Sequence, residues 1–284
     1  QGNALAPRFD LGMIAVTRPA KPASIESLKM QNVSNTKLNE SLTLLGWSLD
    51  REEAKAGDTV LVTLFWKMER EMIKDQRLEI GLSDEAGKRV FVKEIEPVNE
   101  NFPTLQWKTG DVWRGQHWIR LPATLSEGGY RWGITLKGES ASAALGTIRV
   151  SAPQRSFTAP SVDHHVGARF DSFAELVGYW IRDQKIILVW RALKTPEKSY
   201  SVFVHVSDAG RVWAQSDGVP QNWNRPTTGW VEGEYVIDER VIALPPDAPR
   251  GEYVIYVGMA DLVTGERVKI IDQGDRARIG VMQK

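Results

Sequence analysis

Trp107-Lys-Thr-Gly110, Leu121-Pro122 and Gly128-Gly-Tyr130 recur later in the chain as Trp230-Val-Glu-Gly233, Leu244-Pro245 and Gly251-Glu-Tyr253, each pair 123 residues apart. One fixed offset shared by three separate motifs marks an internal duplication. Gly87 and Gly210 keep that offset, and Ser83-Asp84 answers Ser207-Asp208 almost in step. Upstream, Leu45-Gly46-Trp47 corresponds to Val177-Gly178-Tyr179, and Trp66 to Trp190. The second copy is shorter there, because nothing in it answers Glu53-Ala-Lys-Ala-Gly-Asp58. Two homologous domains follow.

Each copy reads as strands. Tyr130, Trp132, Ile134 and Leu136 alternate with Arg131, Gly133, Thr135 and Lys137, a period of two with one polar face. Thr59 to Lys67 is rich in β-branched and aromatic residues, which suit a pleated surface. Between Tyr200 and Val206 the valines at 202, 204 and 206 alternate with Phe203 and His205, so both faces of that strand are expected to be covered. Asp-Glu-Ala-Gly87 and Asp-Ala-Gly210 carry turn chemistry, and Pro122 and Pro245 end strands because proline cannot donate to a central ladder. Seven strands are expected in the first copy, at 42–49, 59–67, 76–83, 88–95, 112–121, 129–136 and 145–150. Those of the second are expected at 173–181, 185–191, 199–206, 211–216, 235–243, 252–259 and either 267–271 or 278–282. The predicted fold is all-β: two tandem immunoglobulin-like antiparallel β-sandwiches related by the repeat. The expected domains are 20–152 and 173–284, joined by a Pro- and Ser-rich linker over 153–172. Leu11 to Pro19 resembles Leu145 to Pro153, so residues 1–19 read either as the last strand of a missing upstream domain or as a strand on an edge of domain one.

The chain has 284 residues, 42% of them hydrophobic and 25% charged, which is globular composition. Lys+Arg and Asp+Glu are both 36, so no polybasic field draws it to nucleic acid. Cysteine is absent, which excludes disulfides, thiolate catalysis and Cys-based metal centres. No apolar run approaches the roughly 18 residues of a membrane helix, so no membrane insertion is expected, and no signal peptide is visible.

Leu-Leu-Gly-Trp47, the Ala-Gly-Asp-Thr-Val-Leu-Val-Thr-Leu-Phe-Trp66 stretch, Phe-Val-His-Val-Ser-Asp208, Ala-Gln-Ser-Asp-Gly218, Trp-Val-Glu-Gly-Glu234 and Pro-Arg-Gly-Glu-Tyr253 resemble β-sandwich domains of unknown function in Chloroflexi-type bacteria. Such domains sit in the extracytoplasmic tails of polytopic, mannosyltransferase-type glycosyltransferase-like proteins. The resemblance covers residues 40–284. It implies an extracytoplasmic or cell-surface location within a longer membrane protein, and it carries no catalytic residues.

Few residues suggest chemistry. His164 and His165 are adjacent, point apart in an extended segment and chelate poorly. His117 is answered in the other copy by Arg240, and His205 by the Ile80-Gly81-Leu82 region, which favours packing or surface roles. Asp238 and Glu239 are neighbours that face opposite ways; Glu232 and Glu234 share a face beside Trp230. No nucleophile elbow, phosphate loop, dinucleotide fingerprint or zinc-protease motif occurs. Asp208, Asp217, Asp261 and Glu266 sit in turns and could hold calcium, yet Asp in hairpin turns serves backbone bonding. No catalytic residue, metal site or cofactor is therefore expected.

Eleven tryptophans are more informative. Trp66, Trp190 and Trp132 belong to the core, and Trp107 and Trp230 are expected to cap one end of each sandwich with the indole N–H seeking a partner. Trp223 lies in a polar loop beside Asn222, Asn224 and Arg225; Phe102, with Asn99 and Asn101, occupies a comparable loop in copy one. An aromatic plane beside amides and a guanidinium suits a sugar, with stacking on axial C–H bonds and polar groups on the hydroxyls. The same loops also suit folding back over the sandwich end with the aromatic as anchor. Tyr179, Trp180 and Trp118 are candidates for an interface with another domain. The sequence thus favours a non-catalytic extracytoplasmic accessory module, with a carbohydrate-binding module as the alternative; the expected partner is a glycan or an adjacent protein domain.

Overall fold

The computed structural model describes residues 21, 23–272 and 274–284. They form two compact units that meet in sequence at Pro153 and Gln154. The first holds β1 (Asn32–Lys37), β2 (Leu42–Leu49), β3 (Glu53–Lys55), β4 (Thr59–Met68), β5 (Leu78–Ser83), β6 (Arg89–Ile95), β7 (Val112–Arg120), β8 (Gly128–Leu136) and β9 (Ser142–Ser151). Its sheets have the orders β1-β2-β4-β7 and β3-β9-β8-β5-β6. The second holds β10 (His164–Phe170), β11 (Ala174–Arg182), β12 (Lys185–Ala192), β13 (Tyr200–Ser207), β14 (Val212–Gly218), β15 (Tyr235–Val241), β16 (Glu252–Asp261) and β17 (Ala277–Gln283). Its sheets run β10-β11-β12-β15 and β14-β13-β16-β17. The two orders are the same, strand for strand, once β3 is set aside. That strand lies in the Glu53–Asp58 insertion and pairs parallel to β9; among the described residues every other strand ladder is antiparallel.

Each unit is a β-sandwich because alternation gives each sheet one apolar face to bury. In the first, Leu44, Val62, Leu64 and Trp66 meet Leu78, Ile80, Trp132 and Ile134. In the second, Leu176, Leu188 and Trp190 meet Val202, Val204, Ile255 and Val257. The Leu-Gly-Trp47 and Val-Gly-Tyr179 motifs have a steric cause. Both strands carry a bulge there, and a Cβ on Gly46 would meet the Asn32 carbonyl oxygen at 2.2 Å, one on Gly178 the His164 oxygen at 2.3 Å.

The Gly-x-Tyr motifs are corners. Tyr130 Oη donates to the Ser126 carbonyl (2.9 Å) and Tyr253 Oη to that of Pro249 (2.6 Å), each four residues back at the start of its strand. The paired tryptophans close one end of each core as expected: Trp107 Nε1 donates to the Phe102 carbonyl at 3.4 Å, and Trp230 Nε1 to that of Arg225 at 3.2 Å.

All fourteen expected strands form, and the last of the second copy is Ala277–Gln283 rather than 267–271. The stretch expected as a linker, 153–172, is not free of structure. It contains β10, Ser156 bridges to Tyr235, and Arg155 reaches Glu234. The sequence hid β10 because its ladder slips between His165 and Ala168, which breaks the alternation. The expected first strand over residues 1–19 lies outside the described residues.

Candidate functional site

The most unusual backbone lies between β14 and β15. Gln221, Asn222 and Trp223 have φ of 54°, 49° and 70°, three successive non-glycine residues in the left-handed region. Each such residue costs on the order of 1 kcal/mol or more, so the loop needs anchors. Gln221 N–H donates to Asp238 Oδ1 (2.7 Å) and its side-chain amide to the Ile237 carbonyl (2.9 Å). Within the loop, Trp223 N–H donates to the Val219 carbonyl (3.2 Å) and Arg225 N–H to that of Pro220 (3.0 Å).

Asp238 is buried beneath the loop on β15, with Arg240 two residues on. Arg240 Nε donates to Asp238 Oδ2 (2.8 Å) and Nη2 to the Gly218 carbonyl (2.8 Å), so the pair ties both ends of the turn to the strand. Burial raises the Asp238 pKa, while Arg240 and the Gln221 N–H pull it down. In the first sandwich Gly115 and His117 stand at these positions, and the space is filled by the chain itself: a Cβ on Gly115 would meet the Pro97 oxygen at 2.0 Å. His117 Nε2 lies 3.2 Å from that oxygen, and burial holds its pKa down. The anchored loop is thus an elaboration of the second copy.

Trp223 is 61% exposed on this loop. Asn222 and Asn224 are exposed beside it; Asn224 Nδ2 donates to the Gln221 carbonyl at 3.2 Å. Arg225 is not at the surface. It is buried, ion-paired with Glu234, and burial lowers its pKa. Glu234 also takes Arg155 and the Val231 N–H (3.1 Å). Arg225 therefore belongs to the interior, where its guanidinium meets the buried Glu234 carboxylate.

Phe102 and Trp223 do not occupy equivalent positions in the two sandwiches. Each capping tryptophan donates to the carbonyl five residues before it, so Phe102 answers Arg225. Phe102 is packed, with its ring 4.6 Å from Trp113 and 6.1 Å from Trp107. Asn99 and Asn101 are exposed, and Asn99 Oδ1 accepts the Asn101 N–H (2.9 Å) in a local turn. The copy-one trio thus offers amides without an exposed aromatic plane. Asp238, Arg240 and Gln221 were missed as loop anchors; the available signal was a charged pair at alternate, inward positions of one strand.

Asp208 and Asp261 are engaged in their own turns. Asp208 Oδ1 accepts the Gly210 and Arg211 N–H groups at 3.0 and 2.9 Å, and Oδ2 the Trp213 indole at 2.7 Å. Asp261 accepts the Val263 and Thr264 N–H groups (2.8 and 3.0 Å) and pairs with Lys198 at 3.0 Å. These bonds hold its pKa at about 2. A cleft of about 510 Å³ beside it is lined by Asp171, Lys198, Tyr200, Asp261, Glu266 and Lys269; a carboxyl so firmly ionised makes a poor general acid. His164 stacks on Tyr179 at 4.8 Å. Among the described residues no three His, Asp or Glu side chains converge as metal ligands, and no helix is long and apolar enough to cross a membrane.

No family model matches the chain, and no curated protein matches it. Among solved structures it is similar to a DUF4785 family protein from Legionella pneumophila, with 11% identity and a TM-score of 0.23. The match covers 80% of this chain and 54% of that one, so the chain spans about half the length of the structure it matches.

Proposed function

We propose that the chain is a non-catalytic accessory module of an extracytoplasmic protein, built from two immunoglobulin-like sandwiches. The immunoglobulin-like reading is supported by the two tyrosine corners, a hallmark of such sandwiches. The accessory reading is supported by how the charged groups are used: Asp208, Asp261, Glu234 and Asp238 all serve turns or buried ion pairs. In this reading the module sits beside a partner domain, and Trp118, 64% exposed on edge strand β7, is the proposed contact point.

One observation favours a second reading, carbohydrate binding: the exposed Trp223 indole is held on an anchored loop beside Asn222 and Asn224. A fixed aromatic plane loses little freedom on stacking against a pyranose, so its contact energy is retained as affinity. The testing experiment is a glycan-array screen of the purified chain with Trp223→Ala alongside. Specific binding that falls at least about tenfold in a folded W223A identifies the carbohydrate module. Silence across a broad array removes that reading and leaves the structural one.

A further inference from the structure

The outer face of the sheet β14-β13-β16-β17 holds an arrangement that the first sandwich lacks. Phe203 points outward from β13, yet it is buried. Its ring lies across Gly258 of β16, where a Cβ would meet Phe203 Cζ at 2.0 Å. Arg267 covers the ring, with Cζ 4.9 Å from its centre. His205, two residues along β13, has its ring 4.9 Å from that of Phe203 and its Nε2 3.5 Å from Asp217 Oδ1. Across the ladder His205 faces Tyr256, and Tyr256 faces Arg278 of β17. Arg276 covers Tyr256, with Cζ 4.3 Å from the ring centre.

Two guanidinium groups therefore sit over the aromatic neighbours of one imidazole, Arg267 over Phe203 and Arg276 over Tyr256. Stacking occupies the faces of a guanidinium and leaves its N–H edge to donate. Phe203 and Tyr256 are diagonal neighbours on the ladder, so their side chains start about 7–8 Å apart. Arg267 is paired with Asp275 at 3.2 Å; among the described residues Arg276 and Arg278 form no ion pair. Both stacked arginines come from the β16–β17 connection, which is tied down. Val268 and Ile270 are in the core, and Arg267 bridges Ala260. Anchoring of this kind lowers the ordering cost of binding. Burial lowers the His205 pKa, Asp217 raises it, and Arg267 and Arg276 both lower it, so both arginines lie within electrostatic reach of the ring.

The shared scaffold does not require any of this. The ladder places Glu79, Gly81 and Gly133 of the first sandwich where Phe203, His205 and Tyr256 stand, and Glu79 there pairs with Arg89 at 3.2 Å. We infer that this face of the second sandwich is a site for a tetrahedral oxyanion, sulfate or phosphate, taken between Arg267 and Arg276 beside His205, with Arg278 adding charge. It is independent of the Trp223 loop.

The test is an NMR titration of the four histidine rings of the full chain against inorganic sulfate and inorganic phosphate, then against a sulfated oligosaccharide and its neutral counterpart. The expected result is a saturable shift confined to His205 and an upward move of its titration midpoint, since an anion favours the imidazolium. Arg276→Gln should weaken binding roughly tenfold or more, and the R267Q/R276Q pair should abolish it. Tighter binding of the sulfated than of the neutral oligosaccharide assigns the anion to a glycan; equal behaviour of the two, with saturation by inorganic sulfate, assigns a free anion. A His205 signal that none of the anions moves overturns the proposal, as does a shift that persists in the double variant. Because Arg267→Gln also breaks the pair with Asp275, R276Q alone carries the test if the double variant does not fold.

Discussion

Glu234→Gln should destabilise the second sandwich far more than Arg225→Met does, although both break the same buried contact. Glu234 is 1% exposed and is shared by Arg225, Arg155 and the Val231 N–H. Among the described residues, Arg225 and Arg155 both pair with this one carboxylate. Replacing the carboxylate leaves the buried Arg225 guanidinium without the charge that offsets its desolvation, and breaking a buried pair in this sense costs about 3–5 kcal/mol. Arg225→Met removes one of the two cations, fills the space with an apolar stem and leaves Glu234 with Arg155, so about 1–2 kcal/mol is expected. The first sandwich supports this ordering, since it has Phe102 where the second has Arg225. The measurement is calorimetric unfolding of the full chain, with amide hydrogen exchange to separate strands β13 and β16 from β5 and β8. E234Q should lower the transition of the second sandwich by on the order of 10–20 °C and raise exchange in β13 and β16 alone. An R225M variant as damaged as E234Q would show that the carboxylate is not the keystone and refute the charge argument.

Three further outcomes are expected. Tyr253→Phe removes the 2.6 Å bond to the Pro249 carbonyl and should cost the second sandwich about 1–2 kcal/mol in urea unfolding, with Tyr130→Phe doing the same to the first. Asp261 has its folded pKa depressed to about 2, so its contribution is fully present above the unfolded carboxylate range, near 4, and is lost as pH falls from there toward 2. Stability of Asp261→Ala measured against pH should accordingly show a shallower acid limb than the parent chain, and identical limbs would contradict the assignment. Gly258→Ala should expel the Phe203 ring, release Arg267 and destabilise by about 1–3 kcal/mol, read as a drop in Tm together with a changed His205 resonance.

Much of the fold could be read from residue pattern because a two-residue period and a repeated turn chemistry are local properties. The strands expected at 129–136 and 59–67 match β8 and β4 within a residue at either end. Strands β1 and β10 were hidden, since Asn32-Val-Ser-Asn-Thr-Lys37 is polar and both ladders slip at a bulge. Their existence depends on a neighbouring strand offering an edge. The candidate loop was half legible. An aromatic among amides is visible in sequence, but its exposure is not. Trp223 faces out and Phe102 faces in because the first places an indole above a buried Asp238–Arg240 pair, while the second fills a gap between Trp107 and Trp113.

What the sequence alone determined is the duplication, the all-β class, and the roles of Trp66, Trp190, Trp107 and Trp230. These follow from periodicity and from the chain's own two versions of one design. What tertiary structure decided is where charge goes. Arg225 turns inward to Glu234, Arg240 pins a left-handed loop, and Arg267 and Arg276 lie on aromatic rings. A guanidinium on a long flexible stem has no preferred place of its own. It settles where distant strands supply a carboxylate, a carbonyl or a ring face, and that is a property of packing.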